Sequence, residues 1–412
     1  MRTISRRTRS RWSWRLAFLW VACTLAACSG APVVDSQRGS PTPGVDLTRV
    51  FAEALLAATN SLPSSTPTPA SSLTPTITPS RTATPTQVRT PPDLPGVFTS
   101  TILDSAVIPQ TYIENTCQYL KARWDPNNSP PGTVVMIIMY HSITEDSNAL
   151  FPDGSQVHHS DLVQTLEHAH EVGFETINAE QLADFLETNA LIPRRSLLII
   201  VDDRKRKEYY ETHFVPFLKD YDWKITNAWI SAPDTPEYLL QENREIQAQG
   251  WVDVQAHGVI HNIPIGEYSS DDFIRKELTG SIEAIEKNFG AHPVGFIWPG
   301  GGFTQRAAEL AREAGYRLGF TTNPRGPVMF NWIPGAAQVD PGHTYWLPEI
   351  PVEDPLMVLP RYWSMDAAYR IDDVSNIGEQ AALDGLKNRE TELAYYDIVC
   401  KKITGEIPAW KP

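Results

Sequence analysis

Three stretches of this chain place polar, chemically competent side chains directly after apolar runs. Ser196 to Val201 leads into Asp202-Asp203, Trp251 to Ala256 leads into His257-Gly258-Val259-Ile260-His261, and Val294 to Trp298 leads into Pro299-Gly300-Gly301. One aspartate with two histidines four apart offers one anionic and two neutral donors. That set suits Zn²⁺ with a position left open, and the second aspartate remains as a base. Taken singly, each piece has a plainer reading. An Asp-Asp pair after a strand also caps helices and turns, and a lone histidine is also an ordinary hydrogen-bonded polar residue. The order and shared context of the three point to a site. By contrast, His158, His159, His168 and His170 fall on a polar loop and a helix, without an acidic partner at a strand end, and are read as surface.

Such residues need a scaffold that brings strand ends together. Runs rich in β-branched and aromatic residues recur at Thr133 to Tyr140, Ser196 to Asp202, Lys224 to Ile230, Trp251 to Ala256, Pro293 to Trp298 and Arg317 to Thr322. Helical patterns lie between them at Asp161 to Val172, Ala179 to Thr188, Asp271 to Phe289 and Thr304 to Ala314, the last closed by Gly315. Strand and helix in alternation, with no glycine-rich dinucleotide fingerprint, predict an α/β fold: a distorted (β/α) barrel of about seven parallel strands. In such a barrel the chemistry sits at the carboxyl ends of the strands, where the three stretches end.

A composition of 42% hydrophobic and 10% aromatic residues excludes a wholly disordered chain. The net charge is −14, and the six arginines among the first fifteen residues leave the remainder more acidic still. An acidic body repels phosphate, so no nucleic-acid partner is expected. The leader itself, Arg2 to Arg15 followed by apolar Leu16 to Ala22 and Leu25-Ala26-Ala27-Cys28, resembles a bacterial lipoprotein signal. The resemblance implies cleavage before Cys28 and lipidation of its thiol, leaving an exported chain anchored on the extracytoplasmic side of a membrane. Residues 29–96 read as a disordered stalk with a short amphipathic helix at 46–60. Its last part, Ser61 to Gly96, has nine Pro, nine Thr and six Ser, a composition that cannot bury a core. Residues 97–412 read as the globular domain. Of its cysteines, Cys117 and Cys400 lie near its two ends; in an oxidising compartment they can pair, or they can remain two separate thiols.

From Val134 onward the chain resembles the polysaccharide deacetylase family, the carbohydrate esterases sharing the chitooligosaccharide-deacetylase homology domain. Within it, the chain is most similar to members that open with M-Y-H-S-I, here Met139-Tyr140-His141-Ser142-Ile143. The family's T-F-D-D-G is matched by Ile200 to Arg204, its H-[ST]-x-x-H-[PN] by His257 to Asn262, and its R-x-P-[YF]-G by Ile297 to Gly301. Ala307 to Thr322 and Leu359-Pro360-Arg361 also look like that family. The resemblance implies removal of acetyl groups from N-acetylglucosamine-type sugars of a cell-envelope or extracellular polysaccharide, with one divalent metal, Zn²⁺. Asp203, His257 and His261 would hold the metal and Asp202 would be the general base. Gly300, Pro299, Trp298, Arg204 and His141 would lie at the oxyanion or substrate.

The sequence departs from the pattern in three places. Arg204 stands where the family has a glycine, Ile297 where it has an arginine that orients the base, and the late histidine that acts as general acid has no match. His343 and His141 are the substitutes at hand. These departures favour the alternative, a glycan-binding lipoprotein that keeps the barrel and has lost catalysis. Trp223, Trp229, Trp251, Trp298, Trp332, Trp346 and Trp363 offer stacking surfaces for sugars or, equally, core residues.

Overall fold

The computed structural model describes residues 89–146, 148–149, 155–260 and 263–409. The leader, Cys28, the helix expected at 46–60 and nearly all of the stalk lie outside the described residues. Twelve strands follow in chain order: β1 (Val107–Gln110), β2 (Val134–Tyr140), β3 (Ser142–Thr144), β4 (Gln156–His158), β5 (Glu175–Thr176), β6 (Arg195–Asp202), β7 (Ile225–Trp229), β8 (Val252–Ala256), β9 (Gly295–Ile297), β10 (Leu318–Phe320), β11 (Ile333–Ala336) and β12 (Tyr362–Trp363).

Seven parallel strands in the order β10-β9-β8-β7-β6-β2-β12 form a curled sheet. The segment leading into β12 draws that sheet round on itself. Leu359 bridges Phe320 of β10 in parallel, and three residues later Tyr362 pairs with Ile138 of β2. The barrel is distorted at β6. Arg195 to Val201 pair with β2 on one side, while the other side is shared by β5 near its start and β7 at its end. The expected α/β barrel is therefore the observed architecture, and all six strands expected from the sequence form.

The pleat sorts the side chains into two rows. Val134, Met136, Ile138 and Tyr140 of β2 face outward, against Ala367, Ile371, Val374 and Ile377 of the helix Ser364–Tyr395 and Leu162 and Leu166 of the helix His159–Glu171. Val135 and Ile137 face inward and pack with Leu198 and Ile200 of β6, Ala228 of β7, Ile297 of β9, Leu318 and Phe320 of β10, and Leu359. Both faces are buried, which is why these strands read as nearly continuous apolar runs rather than alternating ones.

Local signals set the helices. Asn178 caps the helix Ala179–Thr188 through a reciprocal box with Gln181, Ser270 caps Asp271–Phe289, and Thr304 caps Gln305–Ala314, which Gly315 ends at φ 103°. Cys117 and Cys400 are joined in a disulfide, tying the helix Thr116–Trp124 to the segment Tyr396–Cys400. Closing so long a loop in the unfolded chain stabilises the fold by about 2–5 kcal/mol.

Candidate active site

Continuing the inward rows to the carboxyl ends of the strands gives the site. On β6 the row Leu198, Ile200 ends at Asp202; on β2 the row Val135, Ile137 passes Met139 to His141; and from Leu359 the next inward position is Arg361. The parallel register pairs Tyr140 with Val201, so His141 stands level with Asp202. Its Nε2 lies 3.3 Å from Asp202 Oδ2. The His141 ring is stacked on Trp363, with centroids 5.8 Å apart and planes 15° apart.

Arg361 is fully buried, and its Nη1 sits 2.8 and 3.0 Å from the two oxygens of Asp202, itself 1% exposed. The guanidinium is held in turn by Nε, which donates to the Thr321 carbonyl at 2.6 Å. Burial pushes the Asp202 carboxyl up, but Arg361, His141 and His257 together outweigh it and hold the group down at about 2. Asp202 is thus a fixed, ionised carboxylate at neutral pH. For His141, burial pushes the imidazole below its ordinary value against the pull of Asp202, so the neutral ring is favoured.

Arg361 was not assigned a role from the sequence. The loss of arginine at Ile297 suggested that nothing orients the base; instead a guanidinium from a segment 159 residues away in sequence reaches it. Ile297 contributes through its backbone, accepting a 2.8 Å hydrogen bond from His257 Nδ1. A histidine that donates from Nδ1 keeps the lone pair on Nε2, the arrangement of a metal-ligating imidazole.

Asp203 takes the left-handed conformation at φ 71°, and Arg204 is not among the residues with positive φ. The left-handed position is thus Asp203, one residue before Arg204. Asp203 Oδ2 lies 3.7 Å from Lys205 Nζ. Arg204 turns to the loop after β7, donating to Thr235 Oγ1 at 3.0 Å. Arg206 makes a two-pronged contact with Glu242 at 2.7 and 2.6 Å, and Lys207 reaches Glu245 at 3.1 Å, so much of the basic run is paired with the helix Glu237–Gln247.

His257 is buried. His261, expected as the third ligand, lies outside the described residues. The turn between the two histidines is gripped by Glu277, whose Oε2 accepts from the N–H groups of Val259 (2.7 Å) and Ile260 (3.0 Å). This buried glutamate on the helix Asp271–Phe289 escaped the sequence reading. Gly258 permits the grip: it sits at φ 78°, and a Cβ there would lie 2.7 Å from the same oxygen.

Gly300 is exposed on the turn Pro299–Gly301 after β9. Trp298 is not a platform for sugar. It is fully buried beside Phe296, and its indole N–H donates to the Met357 carbonyl at 2.8 Å. Trp223, Trp229 and Trp332 are likewise core, and Trp363 is the tryptophan that borders Asp202 through His141. His343 bonds Asp340 at 3.1 Å and stacks on Trp346, and of the two acid candidates it is His141 that contacts Asp202. The histidines read as surface are half-buried: His170 stacks on Tyr221, His168 bonds Asp372, and His159 meets His213.

Residues 192–319 match the family model described as polysaccharide deacetylase. That part of the chain is thus similar to polysaccharide deacetylases. The Bacillus subtilis protein named "Putative polysaccharide deacetylase YxkH" is 23% identical over 189 residues, a stretch that spans 46% of this chain and 64% of that protein. Among solved structures, the domain is similar to the Streptococcus pyogenes deacetylase PplD in complex with acetate. That likeness is 21% in identity with a TM-score of 0.45, and it covers 59% of this chain and 98% of that one. IcaB from Ammonifex degensii is 15% identical with a TM-score of 0.44, over 60% and 97% of the two chains.

Proposed function

We propose that this chain is a metal-dependent hydrolase that removes N-acetyl groups from N-acetylglucosamine-type residues of a cell-envelope or extracellular polysaccharide. In this reading it is exported and held at a bacterial membrane by a lipid on Cys28. No helix among the described residues is long and apolar enough to cross a membrane, and the reading assigns attachment to the lipid alone. The observation that carries the proposal is the pairing of two carboxylates with different environments on one turn. Asp202 is buried and clamped by Arg361, while the side chain of the adjacent Asp203 is 25% exposed.

The donor set fits a divalent cation of the zinc class. Asp203 supplies an anionic oxygen, and His257, with Nδ1 committed to Ile297, has Nε2 available. His261 would complete the set. Held there, such an ion would supply polarisation of an acetamide carbonyl and acidification of water, the chemistry amide hydrolysis needs. Asp202 takes the proton of the attacking water on its carboxylate, and Arg361 fixes the orientation of that carboxylate. His141, 3.3 Å from Asp202, is placed to receive that proton from the carboxyl and, as the transient imidazolium, pass it to the departing amine as the C–N bond breaks, which returns both groups to their starting states. The products are acetate and a free amino sugar. The backbone at Gly300, exposed and without a side chain, allows the carbonyl oxygen close approach.

The glycan-binding alternative rested on three departures. The deacetylase reading is supported over it by the Arg361 guanidinium on Asp202, where Ile297 offers none, and by the absence of a positive φ at Arg204. Metal removal separates the two readings. Acetate release from N-acetylglucosamine oligomers is expected to stop in chelator and return with Zn²⁺ or Co²⁺. Oligomer binding without any acetate release under either condition would favour the alternative.

A further inference from the structure

Three metal-competent donor atoms from three separate segments converge beside the mouth, apart from Asp203 and His257. Glu145 follows β3, His159 opens the helix after β4, and His213 ends the helix Lys207–His213. The two imidazole Nδ1 atoms are 3.0 Å apart, and Glu145 Oε1 lies 3.8 Å from each. A triangle with those sides has its centre about 2.1 Å from every corner, the length of zinc–nitrogen and zinc–oxygen bonds at roughly 2.0–2.2 Å. A hydrogen bond between the imidazoles would engage two of the three atoms and require opposite tautomers. It gives no reason for the carboxylate to be equidistant from both rings.

We propose that Glu145, His159 and His213 form a second transition-metal site, a two-histidine, one-carboxylate set that takes Zn²⁺ and leaves a position open for water. The set is partly built before the ion arrives. His213 is 7% exposed, and its ring is braced edge-on by Tyr209, with centroids 5.1 Å apart; His159 is half-buried, and only Glu145 is free in solvent. The ion joins the end of β3 and the start of the helix His159–Glu171 to the helix that directly follows the Asp203–Arg206 turn. Tyr209 extends that link toward the catalytic residues, since its hydroxyl donates to the His141 carbonyl at 3.4 Å. The site is therefore a clamp on the backbone carrying His141, and its existence does not depend on the deacetylase reading.

Metal content tests it directly. The full chain, stripped with chelator and equilibrated with Zn²⁺ in dialysis, is expected to hold two ions; His257→Gln and His159→Gln are each expected to hold one, and the double variant none. Glu145→Gln, at an exposed position that folding tolerates, is expected to weaken the His257-independent ion by more than about tenfold. Circular dichroism checks that each variant is folded. If His159→Gln and Glu145→Gln bind as many ions as the parent with unchanged affinity, the second site does not exist. A parent with no ion, or with one ion lost only in His257→Gln, also overturns the proposal. A single ion lost only in His159→Gln supports it while removing the catalytic metal assignment, so the two readings fail separately.

Discussion

Two arginine–carboxylate contacts flank the turn after β6, and the one with the better geometry has the smaller consequence. Arg206 meets Glu242 with two nitrogens on two oxygens at 2.7 and 2.6 Å, yet the Arg206 side chain is 59% exposed. Arg361 meets Asp202 through Nη1 alone, with both partners sealed from solvent. Water and salt screen the first pair, so it adds little to stability. In the second, each charge is the other's main replacement for lost hydration, so removing one partner costs about 3–5 kcal/mol. Burial, more than hydrogen-bond geometry, decides which pair matters, and the buried one holds the catalytic candidate.

The sharpest way to break this contrast is Arg361→Met, which keeps much of the side-chain volume and leaves Asp202 buried without its guanidinium. Urea unfolding should show a loss of about 3–5 kcal/mol; a loss below about 1 kcal/mol would put Arg361 in the same class as Arg206. Cutting a constraint remote from both pairs gives a reference. The Cys117→Ser, Cys400→Ser double variant should lose about 2–5 kcal/mol of stability with kcat for acetate release unchanged, because the disulfide joins the helix Thr116–Trp124 to Cys400 rather than to the mouth.

Acid titration sharpens the comparison further. The Asp202 carboxyl is lowered from 3.8 to about 2 on folding, so its ionised form stabilises the native state. That contribution is complete above the unfolded value near 4 and is lost as pH falls through about 2. It is worth about 2 kcal/mol, and Arg361→Met should abolish it. Stability measured from pH 5 to pH 2 in both chains checks this. The smallest effect belongs to Glu242→Ala, expected to cost less than about 1 kcal/mol and to cost less still in 1 M salt.

The sequence made the inward rows of the barrel legible because β-branched runs announce strands and the pleat carries their direction to Asp202 and His257. Leu359-Pro360-Arg361 was visible as a family-like stretch, but the role of Arg361 was hidden for a physical reason: the strand it leads into, Tyr362–Trp363, is too short to give a pattern, and its partner is 159 residues distant. The helix Ser364–Tyr395 was hidden too. Much of its buried face is small, with Gly378, Ala381, Ala382 and Gly385 set against the large Ile371, Val374 and Ile377, so periodicity in large apolar residues fades along it. Glu277 looked like any polar position on an amphipathic helix, and only the fold shows that it caps the His257 turn. The meeting of Glu145, His159 and His213 depends on how three connections fold back together, which local pattern does not encode. Arg204 misled in the other direction, because a motif fixes which residues are present and not which one bears the strained φ.

The measurement closest to the central claim compares the chain with Asp202→Asn, reading acetate release from N-acetylglucosamine oligomers and bound metal on the same samples. Asparagine keeps the shape and loses the charge and the proton acceptor. If Asp202 is the base, acetate release falls by at least about a hundredfold while metal content is unchanged. A folded, metal-replete Asp202→Asn chain that releases acetate at the parent's rate would contradict the account.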